Sequence, residues 1–300
     1  MTLKSIKIVC AAVAAIMVSS LALCEPVIRG GHPLPAISRV STPEVVARLQ
    51  NVKLDVRAEA AYELGRRLDN AAIPSLVLAL NDPEVSVRVT AGEALLKLGD
   101  QRGTAALVKA LDADGVFDEF WVLQAAMILA ERGNVTGAAI IKQNLTRTKG
   151  MMRCFALIGM EFLPGGAPYE VVAKGLDDQY MDVRMRAIRI ARERKSSQYY
   201  ILLRSRVDQV GPVEKQLIIM ALAADSSDEN VELLIQKLAD SDVNVRRFAL
   251  RSLSSISGRP TNQAQVESAA KAASTRQKWE QWFNENRKIS TPPKPSIESR

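Results

Sequence analysis

Asp82-Pro83-Glu84-Val85-Ser86-Val87-Arg88, followed by Ala91-Gly92-Glu93-Ala94-Leu95-Leu96-Lys97-Leu98-Gly99-Asp100, decides the fold of this chain. Arg88, Ala91, Ala94 and Leu95 fall on one face of a 3.6-residue helix. Asp82 stands in the turn before that helix, with a side chain suited to capping it. Gly99 follows the helix, where a left-handed residue ends the spiral at no steric cost. The same pattern returns at Asp240-Ser241-Asp242-Val243-Asn244-Val245-Arg246 with Ala249 and Leu253. It returns again at Asp177 to Arg184 with Ala187 and Ile190, and at Asp55-Val56-Arg57 with Ala60 and Leu64.

Aligned on the arginine, the copies place Arg57, Arg88, Val122, Arg153, Arg184, Lys215 and Arg246 at one position. Successive spacings are 31, 34, 31, 31, 31 and 31 residues, the longer step holding a three-residue insertion around Asp112 to Asp118. A fixed period in units too short to bury a core alone is the mark of stacked repeats. Each unit reads as two helices. The first is a short apolar stretch, such as Ile73 to Leu80 or Val231 to Leu238. Pro74 fits its first turn, where the missing N–H is unneeded. The second helix carries the registered arginine, alanine three residues on, and apolar residues at six and seven. The expected fold is all-α, a right-handed α-solenoid of about seven helical hairpins.

Asp-x(4)-Val-Arg-x-x-Ala-x-x-Ala-Leu-x-x-Leu-Gly-Asp, best seen from Asp82 to Asp100, resembles the HEAT-repeat family, in particular its short bacterial PBS-lyase HEAT-like form. The resemblance covers residues 42–257, with departures at Val122 and Lys215 and weaker copies in repeats three, four and six. It implies that the second helices line a concave face and that the chain binds a partner there. The repeated arginines (Arg57, Arg88, Arg184, Arg246) read as a structural ladder to carboxylates or carbonyls of adjoining repeats.

Before the array, Lys4 and Lys7 precede an uncharged, mostly apolar run from Ile8 to Cys24. Residues 1–24 read as a secretory signal peptide cleaved near Cys24, and the apolar run from Ile8 to Cys24 is shorter than the ~20 residues a spanning helix requires. Leu21-Ala22-Leu23-Cys24 also resembles a lipobox, with Leu23 as its departure, so lipoprotein anchoring stands as an alternative. The mature chain is expected to be periplasmic or secreted, with no transmembrane segment. Residues 25–41, with three prolines and two adjacent glycines, read as an extended lead-in. Residues 258–289 read as a capping helix bearing Trp279, Trp282 and Phe283, and residues 290–300 as a disordered tail.

Composition agrees with a globular helical protein: 47% apolar, 24% charged and only 5% aromatic residues. A formal charge of +7 admits anionic partners without naming one. The single histidine of the chain, His32, lies outside the repeats and reads as a solvated loop residue. Histidine-ligated metal and Ser-His-Asp chemistry are therefore excluded from the array. Deoxyhypusine hydroxylase, a HEAT-like enzyme, holds two irons through His-Glu pairs, and no such pair exists here. Bilin lyases of the same family remain as a lyase-like or enzyme-accessory alternative. No cofactor is implied, and acids such as Asp177, Asp178 and Asp182 read as turn and cap residues. Once Cys10 and Cys24 leave with the signal, Cys154 is alone and reads as a buried thiol.

Outward positions of the second helices lie two, five and eight residues past the registered arginine. There Phe155, Ile158, Leu217, Met220 and Phe248 are apolar where the pattern is usually polar. Arg186, Arg189 and Arg192 form a stripe among them, and Arg251 follows in the last repeat. Two readings stay open for each set. The apolar residues are either a groove for a protein or peptide partner or part of the core. The arginines are either a binding stripe or a solvated face. Nucleic acid is the weaker anionic candidate, since no aromatic stacking platform interleaves the basic run from Arg184 to Lys195. An anionic envelope surface is the better form of that idea.

Overall fold

The computed structural model describes residues 40–113, 118–147 and 149–287. The signal-peptide, lipobox and His32 readings, most of the lead-in and the tail lie outside the described residues. Among the described residues there are fifteen α-helices, two short 3-10 turns and no strand.

The chain divides into two compact units, residues 1–140 and 141–300. The first holds α1 (Thr42–Arg48) and α2 (Leu54–Arg67), α3 (Ile73–Ala79) and α4 (Val85–Lys97), and α5 (Arg102–Ala110) and α6 (Glu119–Glu131). Helix α7 (Val135–Asn144) crosses the boundary. The second unit continues with α8 (Gly150–Met160), α9 (Tyr169–Leu176), α10 (Met181–Arg194), α11 (Ser197–Arg206), α12 (Pro212–Leu222), α13 (Asp228–Lys237) and α14 (Val243–Ser257), and ends with α15 (Ala269–Arg287).

The even-numbered helices from α2 to α14 are the second helices of seven hairpins. In every one the registered residue is the fourth, from Arg57 in α2 to Arg246 in α14. Three positions on, Ala60, Ala91, Ala125, Ala156, Ala187, Ile218 and Ala249 are each fully buried. Small side chains here let neighbouring second helices approach closely. Gly65 in α2 shows the limit: a Cβ built on it would lie 2.7 Å from the Cβ of Ala94 in α4. Gly99 and Gly133 end α4 and α6 at φ of 80° and 79°, the left-handed region that glycine enters freely.

The repeated arginines form the ladder. Arg57 grips Asp82 through two parallel bonds, Nε to Oδ2 at 2.6 Å and Nη2 to Oδ1 at 2.9 Å. Its Nη1 donates backward to the Asn51 and Val52 carbonyls of its own turn. Arg153 repeats the fork onto Asp178 at 2.7 and 2.8 Å and reaches back to the Arg147 carbonyl. Lys215 holds Asp240 through one bond of 2.9 Å. Each pair therefore spans 25 residues and ties one hairpin's second helix to the turn of the next. Arg184 differs: position 209 is Gln, and Arg184 bonds Glu214 in α12 instead. Glu214 fills a buried slot that holds Val87, Met152, Val183 and Val245 in other repeats, so its pairing offsets the burial of its charge. Arg246 ends the ladder on the Val266 and Glu267 carbonyls.

The aspartates of the ladder do not cap helices, contrary to the sequence reading. Asp82, Asp178 and Asp240 each accept the backbone N–H two residues on, from Glu84, Tyr180 and Asp242. They shape the turn before the helix, in the manner of an Asx-turn. In α14 the cap is Asp242, which accepts from the N–H groups of Asn244 and Val245.

Helix α15 closes the second unit. Trp279 and Phe283 are buried in the core formed by α13 and α14, with Leu234, Leu250 and Leu253. Trp282 packs edge-on to Trp279, their rings 5.2 Å apart. Cys154 is only partly buried, and its thiol faces the Asp182 carbonyl at 3.7 Å. The fully buried thiol expected at this position is therefore corrected: one residue past the registered Arg153, Cys154 lies at the edge of the buried stripe of α8.

Candidate partner-binding face of the second unit

In the second unit α8 packs against α10, α10 against α12, and α12 against α14. Four second helices thus stand side by side, presenting residues of the same register. Every candidate residue named from the sequence lies on them.

The structure separates these candidates. Ile158 is buried at 3% exposure and is removed from the face. The reason lies in α8 itself, where only Arg153 is charged and every residue from Ala156 to Met160 is buried. A helix apolar nearly all round becomes core on its outward side too. Phe155 and Leu217 are half-buried. Phe248 is half-buried and packs against the α13–α15 core. Met220 is exposed at 38%. Arg251 is exposed, and its guanidinium sits 5.4 Å from the Phe248 ring centre, over its face. This is a cation–π contact that covers the ring.

The arginines of α10 fall into two groups. Arg184 is paired with Glu214, as above. Arg194, at the other end, bonds Glu161 at 2.9 Å, and the same Glu161 oxygen accepts the Ala167 N–H. Between them Arg186 and Arg189 are half-buried and Arg192 is exposed. None of these three has a hydrogen bond or ion pair among the described residues. The Nε of Arg186 is closed off from solvent with no acceptor. The Nε of Arg194 is shielded in the same way although its Nη2 is bound to Glu161, so a shielded Nε does not by itself separate the two groups.

Charge is divided unevenly along the chain. Residues 40–140 hold 10 Lys and Arg against 14 Asp and Glu, a net −4. Residues 141–287 hold 23 against 17, a net +6. The second unit, which bears the candidate face, is thus the basic one. Total charge hides this split, which counting the halves separately would have found.

Among the described residues no three metal-ligating side chains cluster. No described helix is long and apolar enough to cross a membrane.

Residues 42–130 match the family model for HEAT repeats. Comparison with the sequences of curated proteins gives no match. Among solved structures, the YibA protein of Escherichia coli is similar in fold, with a TM-score of 0.52 at 12% identity over 80% of this chain and 94% of that one. The complex of CpcE and CpcF of phycocyanin lyase from Nostoc aligns with a TM-score of 0.41 at 17% identity, over 83% and 96%. A designed armadillo repeat protein in complex with the peptide (KR)4 aligns with a TM-score of 0.36 at 15% identity, over 72% and 100%. The repeating hairpins and the arginine register make this chain an α-solenoid, and residues 42–130 match the HEAT-repeat family.

Proposed function

We propose that this chain is a non-catalytic scaffold that holds a protein partner on the second-helix face of residues 141–287. One observation carries the reading: Arg186, Arg189 and Arg192 stay unpaired on a helix whose other two arginines are both bound to carboxylates. Exposed Met220 on the neighbouring helix adds apolar surface beside them. Arginine beside apolar surface is the composition of binding hot spots. The sequence supports export of the scaffold through Lys4, Lys7 and the apolar run Ile8 to Cys24, so the partner is sought in the cell envelope.

A photo-crosslinking residue at position 220 tests the reading in the cells of origin. A defined protein crosslinked from position 220, and not from exposed Val108 on α5, supports the scaffold. Crosslinks that are absent, or equal at both positions, refute it.

A further inference from the structure

We infer that the face recognises an acidic, extended segment of its partner, with carboxylates on the α10 arginines and an aliphatic side chain on Met220. This rests on the scaffold reading and names the chemistry of its ligand.

The cations come first. Arg184 and Arg194 show that an α10 guanidinium takes a carboxylate when one is in reach. Arg186, Arg189 and Arg192 have none among the described residues, and the unit around them has a net charge of +6. Guanidinium forks match carboxylates in two bonds, so these arginines suit carboxylates of a bound segment.

The apolar neighbours decide between kinds of anion. Met220 is exposed one helix away, beside half-buried Leu217. Nucleic acid has no use for that surface without a stacking ring, and the Phe248 face is already covered by Arg251. A polypeptide supplies carboxylates and aliphatic groups together.

Spacing sets the pattern. From Arg186 to Arg192 the helix rises about 9 Å. Packed helices lie roughly 8–10 Å apart, and an extended chain advances about 3.3 Å per residue. A segment crossing the helices therefore moves about three residues per helix. The matching order is two acids over α10, an aliphatic residue three positions on over Met220, and another acid three further on over Arg251.

The test is fluorescence anisotropy with the full-length chain and a labelled synthetic peptide of that order: two glutamates, then leucine, then glutamate. The peptide is expected to bind, and to lose at least tenfold in affinity when its glutamates become glutamines. Arg186→Glu with Arg189→Glu and Arg192→Glu should lose at least as much, while the melting temperature stays within ~3 °C of the parent. Should that variant misfold, the triple Arg→Gln variant takes its place, with the same loss expected. Equal binding of the glutamine peptide, or no binding at millimolar peptide, overturns the inference. So does a single-stranded oligonucleotide or an anionic phosphatidylglycerol vesicle that outcompetes the peptide. The two readings fail separately. A partner crosslinked at position 220 whose capture survives the triple Glu variant leaves the scaffold standing and removes the acidic ligand. No crosslink at all removes the scaffold.

Discussion

Asp177 and Asp178 are adjacent acids with nearly identical partners and different surroundings, and they make the sharpest test of the ladder. Asp177 takes two bonds from Arg206, at 2.6 and 2.9 Å. Asp178 takes two from Arg153, at 2.7 and 2.8 Å. The Asp177 side chain is 53% exposed, whereas those of Asp178 and Arg153 are each 12% exposed. Asp178 alone also accepts a backbone N–H, from Tyr180. Geometry would make the pairs equal; burial makes them unequal. An exposed pair contributes about 0.2–1 kcal/mol. Removing one partner of a buried pair costs about 3–5 kcal/mol, and the low end suits a partly buried rung. Asp177→Ala should therefore cost under ~1 kcal/mol, and Asp178→Ala about 3 kcal/mol. At an m-value of about 2 kcal/mol/M, the urea midpoint should fall by ~1.5 M for Asp178→Ala and by less than ~0.5 M for Asp177→Ala. Urea unfolding followed by circular dichroism reads both. Equal shifts would show that the ladder adds nothing beyond a surface ion pair, and the account of how hairpins are joined would fail.

Gly65→Ala places a methyl carbon 2.7 Å from the Ala94 Cβ and 2.8 Å from its Cα, so two helix backbones must separate. A cost of about 1–3 kcal/mol is expected, read as a lowered melting temperature. Trp279→Ala opens the end of the second unit at a residue only 6% exposed. It should cost about 3–5 kcal/mol, with faster amide exchange in α14 than in α10. Stability should also fall in acid. Burial alone would raise the Asp82 and Asp240 carboxyls, but Arg57, Lys215 and the turn N–H groups outweigh it and hold both below the ordinary carboxylate value. The Arg153 bond holds Asp178 low as well. Groups depressed in the folded state give stability that is complete above the unfolded value, about pH 3.9, and lost as pH falls through the lower folded values. Melting temperature should therefore be flat from pH 5 to 7 with respect to these groups and drop below about pH 4. A drop retained in the Asp82→Asn, Asp178→Asn, Asp240→Asn variant would remove the ladder as its cause.

The repeat was legible because one residue type recurs where backbone geometry needs it. Arginine at the fourth position of the second helix holds the turn behind it, and Arg57 and Arg153 also hold the turn ahead, whereas Arg88 bonds only backward, so the spacing in sequence is the spacing of the hairpins. The buried alanines three residues on were legible for the same reason: close helix approach favours a small side chain in six of the seven copies, with Ile218 the exception. The outward face was less legible. Ile158 and Met220 share a register position, yet one is core and the other exposed. Both helices flank α10, so the neighbour does not separate them; α8 has Arg153 as its one charged residue and buries every residue from Ala156 to Met160, whereas α12 leaves Met220 at the surface. The turn aspartates were found, but their bonds were assigned to the wrong N–H groups. Sequence shows that an Asp precedes a helix, not whether its carboxylate lies over the turn or over the first helical residues.

Position 215 shows what the registered arginine does, because lysine stands there. Lys215 keeps its bond forward to Asp240. Among the hydrogen bonds of the described residues it makes none back to the carbonyls of its own turn, which Arg57, Arg88, Arg184 and Arg246 all make. An ammonium is a compact charge, whereas a guanidinium is a fork that serves two directions at once. Register zero therefore selects arginine for its shape, and each such arginine is consumed by the fold. Two, five and eight residues further on in α10, Arg186, Arg189 and Arg192 make no hydrogen bond or ion pair among the described residues. Arginine at those places in α10 cannot be explained by the ladder. The same residue type on one helix thus has two physical roles, divided by register. Replacing Arg184 should move stability, and replacing Arg189 should move binding alone.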